Sequence, residues 1–175
     1  PYRPMPTAPA TPDGPVGELP EGKDWTHVER QNPVWMNGLW IAMSVGLLSL
    51  AFLLAPDWGG WTAFIGILGV APLAMVGGLR VEVSPELVRV TFGRSGIRLF
   101  RAKPSEIEVV EAQEFSPLAD FGGWGIRYGR NRTWGYFLRG TRGVLLVKRG
   151  GGRTLVGSDN AARLAALIRH AGGGR

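Results

Sequence analysis

The hydrophobic pattern changes period along this chain. Val34 to Ala55 (VWMNGLWIAMSVGLLSLAFLLA) is a run of 22 residues without a charge. Pro56-Asp57-Trp58-Gly59-Gly60 has the composition of a turn. A second uncharged run of 19 residues, Trp61 to Leu79, follows it. At 1.5 Å per residue the first run spans the roughly 30 Å hydrocarbon core of a bilayer. Adjacent uncharged runs of this length are rare outside membranes. The pair predicts a transmembrane helical hairpin, 34–55 and 61–79, in preference to a buried hairpin in a soluble protein.

After Arg80 the pattern becomes alternating. Arg80–Val83, Leu87–Phe92, Ile97–Arg101 and a segment starting at Ile107–Val110 read as strands, with Gly125–Tyr128, Trp134–Leu138, Val144–Lys148 and Thr154–Val156 as further candidates. Glycine-rich connectors separate them. One helix then closes the chain. Ser158 or Asp159 is positioned to cap it, Leu164, Leu167, Ile168 and Ala171 form its apolar stripe, and Gly172 ends it. The expected fold class is therefore a membrane α-hairpin plus a small antiparallel β-barrel or sandwich with a C-terminal α-helix.

The segments divide as follows: a Pro-rich tail over 1–33, the hairpin over 34–79, a β domain over 80–171 and a short tail over 172–175. Residues 1–33 hold eight of the thirteen prolines and little that can pack, so an extended, polyproline-like segment is expected there. It lacks the basic start, apolar core and cleavage site of a signal peptide, which predicts that it is retained. Its initial proline fits removal of a start methionine.

Aromatic and small residues refine the hairpin. Trp35 and Trp40 at one end, and Trp58 and Trp61 around the turn, are the expected interfacial anchors. Ala42, Gly46 and Ser49 on the first helix, with Thr62, Gly66 and Gly69 on the second, are the expected close-packing stripes, facing each other or another protein. Pro72 should bend the second helix.

The order of strands, the segment Phe121-Gly122-Gly123-Trp124-Gly125-Ile126-Arg127 and the ending Leu155-Val156-Gly157-Ser158 before a helix resemble the bacterial pleckstrin-homology-like domains. Some of these follow two transmembrane helices. The resemblance covers Arg80 to about Ala171 and implies a bent seven-stranded barrel capped by a C-terminal helix. It implies no catalytic residues, and it leaves the Pro-rich tail outside.

Composition narrows the chemistry. The absence of cysteine excludes disulfides, thiolate metal sites and a cysteine nucleophile. The two histidines, His27 and His170, are far apart in sequence and outside the apolar runs, so neither a metal site nor an axial cofactor ligand is expected. No phosphate loop occurs, and the Gly122–Gly129 region holds only part of a dinucleotide fingerprint. Glu106, Glu108, Glu111 and Glu114 read as a solvated face. The net charge of +6 is concentrated after Leu79, where seventeen of the twenty basic residues lie. By the positive-inside rule both termini are expected in the cytoplasm, at a bacterial inner or intracytoplasmic membrane.

Arg127, Arg130, Arg132, Arg139 and Arg142 crowd around Trp134. They can be a solvated face, a contact for anionic headgroups, or anchors in a protein interface. Nucleic acid has charge in its favour but no motif. No enzyme and no cofactor is expected. The expected role is a structural accessory subunit of a larger membrane complex, with photosynthetic, respiratory and transport assemblies as candidate hosts, stabilised through tail, hairpin and barrel. The alternative is a membrane-tethered module for anionic lipid headgroups or a peptide.

Overall fold

The structure is a computed structural model that describes residues 17–22, 24–58, 60–129 and 132–173, with side chains described for all of these except 54–63 and 74. Of the expected Pro-rich segment, residues 1–16 and Lys23 lie outside the described residues. Its last part is ordered as strand β1, His27–Gln31. Helix α1, Val34–Trp58, follows, and then α2, Gly60–Val70, which tightens into a 3-10 turn over Ala71–Met75.

The two-helix transmembrane hairpin is corrected by these lengths. Among the described residues one helical span, Val34–Leu53, is long and apolar enough to cross a bilayer. The second apolar run does not stay helical. Pro72 sits at the start of the 3-10 turn, where it has no N–H to donate, and Leu79 already belongs to a strand. The α-helical part of that run, 11 residues, reaches only about 17 Å. With one crossing-length helix, the inference that both termini lie in the cytoplasm of a bacterial inner or intracytoplasmic membrane falls as well, because it counted basic residues on either side of two crossings.

The remaining strands are β2 (Leu79–Val83), β3 (Val88–Phe92), β4 (Ile97–Ala102), β5 (Ile107–Glu114), β6 (Gly125–Gly129), β7 (Thr133–Phe137), β8 (Arg142–Lys148) and β9 (Arg153–Gly157). Two short helices complete the chain, α3 (Pro117–Phe121) and α4 (Ala161–Ala171). The strands form two open sheets. Sheet I is an antiparallel meander, β1-β2-β3-β4, and sheet II runs β5-β8-β9-β7-β6. β7 and β9 are parallel, so sheet II is mixed. Among the described residues no strand of one sheet pairs with a strand of the other. The expected antiparallel barrel or sandwich is corrected accordingly.

The order in sheet II follows from burial. Thr154 to Gly157 of β9 are all buried, the pattern of a strand covered on both faces, and β9 takes the central position. β6 is exposed at Ile126, Arg127 and Tyr128 and becomes an edge. An antiparallel meander would have put the more exposed β7–β6 hairpin next to β8.

Inward residues of sheet I, Leu79, Val81, Val83, Val88 and Val90, share one core with Tyr136, Val144, Leu146 and Val156 of sheet II and with Leu164, Leu167 and Ile168 of α4. The other face of sheet II carries a second cluster, in which Phe115 and Phe121 at the ends of the α3 segment cover Phe137, Leu145 and Leu155. α4 is capped by Asn160, whose Oδ1 accepts from Arg163 N at 2.9 Å, rather than by Ser158 or Asp159. Ser158 Oγ instead accepts from Asn160 N.

Candidate functional site

α1 is fixed at its base and bare above it. Met36 is buried and Trp40 half-buried against the main core, one helical turn apart. Asn37 Nδ2 donates to Asn32 Oδ1 at 2.6 Å, and Gly77 N donates to Asn37 Oδ1 at 3.1 Å, so the start of the helix is tied to the chain returning to β2. The stripe continues through Ser44, Leu47 and Ala51 toward α2, where Gly69 approaches Leu47 and Leu48. The rest of the surface is exposed and apolar: Val34 and Phe52 keep more than 80% of their area accessible, and Trp35 keeps 67%. Only 11% of the residues in its most apolar window are buried within the protein. A core helix of a soluble protein would be mostly buried.

Of the residues expected to pack the helices, Gly69 does lie against α1 at Leu47 and Leu48, whereas others are placed differently. Ala42, Gly46 and Ser49 are exposed, and a side chain added at Gly46 or Gly66 would meet nothing within 4 Å. They lie about 200° around the helix from the Trp40–Ser44 positions, on the opposite face. The side chains of Trp58, Trp61 and Thr62 lie outside the described residues.

The expected arginine patch is divided by the sheet. β6 and β7 pair with Tyr128 opposite Trp134 and Arg127 opposite Gly135. Alternation therefore sends Arg127 to one face and Tyr128 and Trp134 to the other. Tyr128 and Trp134 meet edge to face at 5.1 Å, and Trp134 stacks toward Tyr136 at 6.4 Å. Arg127 Nε donates to Trp124 O at 3.1 Å. Arg132 is exposed in the turn with a left-handed backbone (φ 55°). Arg139 lies beyond the other end of β7, roughly five residues or 17 Å away along the strand, where it is ion-paired with Asp159. Arg142 begins β8 and is half-buried. Arg130 lies outside the described residues.

What the sequence reading missed is a polar clasp between the sheets. Glu29 and Gln31 occupy the inward positions of β1, opposite Val81 and Leu79. Glu29 Oε2 accepts from Ser158 Oγ at 2.8 Å and Oε1 from Asp159 N at 2.7 Å. Gln31, almost fully buried, accepts from Leu138 N at 3.0 Å. Burial pushes the Glu29 carboxyl above the usual carboxylate range, against the opposing pull of its hydrogen bonds to Asp159 and Ser158. Apolar alternation could not reveal this strand, because its inward side chains are polar and their hydrogen bonds run to distant residues, Ser158 and Asp159 for Glu29 and Leu138 for Gln31 Oε1.

The histidines come to one side of α4. His170 Nε2 lies 3.1 Å from Pro20 O, and its ring is 6.0 Å from Trp25. His27 is pushed below the usual imidazole range, first by burial and then by Arg163. No group of three His, Cys, Asp or Glu side chains converges to hold a metal among the described residues. A groove of about 500 Å³ runs between β5 and α4, with Glu108, Arg149 and Arg169 on its rim. Arg169 is already committed there, donating to Val110 O at 3.1 Å.

Comparison with protein-family models, curated proteins and solved structures finds no match for this chain. The likeness to pleckstrin-homology-like domains is corrected by the sheets, which are open and, in sheet II, mixed, and no family model of that kind matches the chain. The role as an accessory subunit bridging a membrane complex through hairpin and barrel loses its premise with them, as does the alternative built on the same hairpin and barrel.

Proposed function

We propose that this chain is a bilayer-anchored, non-enzymatic unit, in which α1 sits in lipid and holds the two-sheet unit at the membrane face. The observation that carries this reading is the bareness of α1. A helix of 25 residues, uncharged through its first 23, leaves most residues of its apolar window exposed. Water does not tolerate a continuous apolar surface of that size. Burying it in hydrocarbon recovers about 25 cal/mol for each Å² removed from water. The base of the helix is prepared for such a position: Met36 and Trp40 lock it to the core, and Trp35 stands exposed beside them, where an indole favours the lipid–water boundary.

The test is flotation of the full chain with lipid vesicles after alkaline carbonate washing. The intact chain is expected to float with the vesicles. Val45→Arg, an exposed position near the middle of the span, places a charge at mid-bilayer at a cost of about 3 kcal/mol and is expected to release a large share of the protein. Val45→Leu should behave as the parent. Recovery of the parent chain as a folded, detergent-free particle in the wash would refute the anchor.

A further inference from the structure

We infer that the outer face of sheet I, at the row of residues beside the base of α1, is a docking surface for the phosphate-bearing headgroups of an anionic phospholipid bilayer; this rests on the anchor reading and adds the lipid class and the residues that select it. The pairing register sets Arg30 opposite Arg80, Arg80 opposite Thr91 and Thr91 opposite Arg98. Gln31, Leu79 and Phe92 are buried, so alternation places Arg30, Arg80 and Thr91 on the outer face, and Arg98, paired with Thr91 beside a β-bulge, is itself exposed. The row contains no carboxylate. The next outward row holds Glu82 with Arg89 and Arg101, so the excess of positive charge is greatest at the helix end.

Like charges directly opposite on paired strands repel, and Arg30 and Arg80 are such a pair. Of this pair, Arg80 is the one compensated among the described residues, through Glu82 at 2.6 Å. Among the described residues no ion pair joins Arg30, Arg94 or Arg98 to a carboxylate, and all three are exposed. An external anion lying across the row would relieve the repulsion.

The location selects the occupant. Arg30 is four residues before Val34, so its Cα lies within about 15 Å of the start of the helix whatever the path between them. Arg94 is at the tip of the β3–β4 turn. That turn is held under the helix by Gly93 N donating to Gly78 O at 2.8 Å, and a Cβ at Gly77 would come 3.3 Å from Arg94 N. A bilayer around α1 has headgroup layers several Å thick at each boundary of its hydrocarbon core. Long arginine stems extend into such a layer while their heads stay hydrated. The arginines on sheet II lack this arrangement, since they lie on different faces and at different ends of β7.

The experiment reconstitutes the full chain in nanodiscs of mixed phosphatidylcholine and phosphatidylglycerol and measures, with spin-labelled lipids, the preference of the protein-bound fraction for phosphatidylglycerol. A basic side chain near an anionic surface favours it about fivefold. The parent is expected to show a severalfold preference that falls as salt is raised. Arg30→Gln with Arg94→Gln and Arg98→Gln should bring the preference close to one, with circular dichroism unchanged. Arg94→Gln alone, on a turn where folding is not at stake, should lower it in part. Arg127→Gln with Arg149→Gln, exposed positions on sheet II, should leave it unchanged. A parent preference near one, or an equal fall in the sheet II variant, overturns the inference while leaving the anchor intact. Failure of the parent to enter nanodiscs overturns the anchor itself, and the docking surface with it.

Discussion

Glu29→Ala tests whether the two sheets are held by the polar clasp. The carboxylate accepts two hydrogen bonds across 129 and 130 residues of sequence, from Ser158 Oγ and Asp159 N. A hydrogen bond to a charged group contributes about 1.5–3 kcal/mol. That figure overstates this pair, because burial raises the carboxyl's proton affinity and so opposes the ionised form. Asp159 N can turn to water after truncation, and Ser158 Oγ keeps its bond from Asn160 N. The expected net loss for Glu29→Ala is therefore about 1–3 kcal/mol. Glu29→Gln can accept from Asp159 N and donate to Ser158 Oγ, and at pH 7 should cost under about 1 kcal/mol.

The two variants also separate charge from geometry. A carboxyl whose folded value is raised binds its proton more tightly in the fold than in the unfolded chain. Its contribution is full below the unfolded value of 4.5 and is lost as pH rises through the higher folded value. The parent should thus weaken relative to Glu29→Gln from about pH 4.5 upward, and the difference should level off once Glu29 is ionised in the fold. The assay is guanidinium unfolding of the nanodisc-held chain, followed by tryptophan fluorescence at a series of pH values. Parallel pH curves for parent and Glu29→Gln, or an unchanged midpoint for Glu29→Ala, would refute the clasp.

Three further outcomes follow from the packing. His27 is depressed in the fold, so its contribution is present above the unfolded value of 6.5 and is lost as pH falls through the folded value; His27→Gln should remove that part of the acid sensitivity in the same unfolding series. Gly78 has φ +71°, and a Cβ there would run into Gln31 O, so Gly78→Ala should destabilise by more than about 2 kcal/mol, seen as a lower unfolding midpoint. Phe137, fully buried among Phe115 and Phe121, should lose about 3–5 kcal/mol on Phe137→Ala, whereas Trp124→Ala, an exposed ring, should change the midpoint by less than about 0.5 kcal/mol.

The site was only partly legible in the sequence. The basic cluster around Trp134 is compact in sequence but is split by strand alternation, which sends Arg127 and Trp134 to opposite faces. Arg30, Arg80 and Arg98 are far apart in sequence and become neighbours only through three strand pairings. Glu29 and Gln31 sit in a segment whose prolines and charges suggested an extended tail, and their partners are more than 100 residues away.

By itself the sequence determined what depends on neighbours along the chain. The 22-residue uncharged run is α1 because its backbone bonds close within the segment, and the alternating segments after Arg80 are strands because their apolar faces repeat every second residue. The stripe of α4 lies where its 3.6-residue period puts it. Only tertiary structure decided how far the second apolar run stays helical, since composition is silent about Pro72 handing the chain into a 3-10 turn and then a strand. It alone decided that β1 joins sheet I and that β9 enters between β8 and β7. Those choices depend on hydrogen-bond partners and on burial of both strand faces, quantities that exist only once distant segments meet.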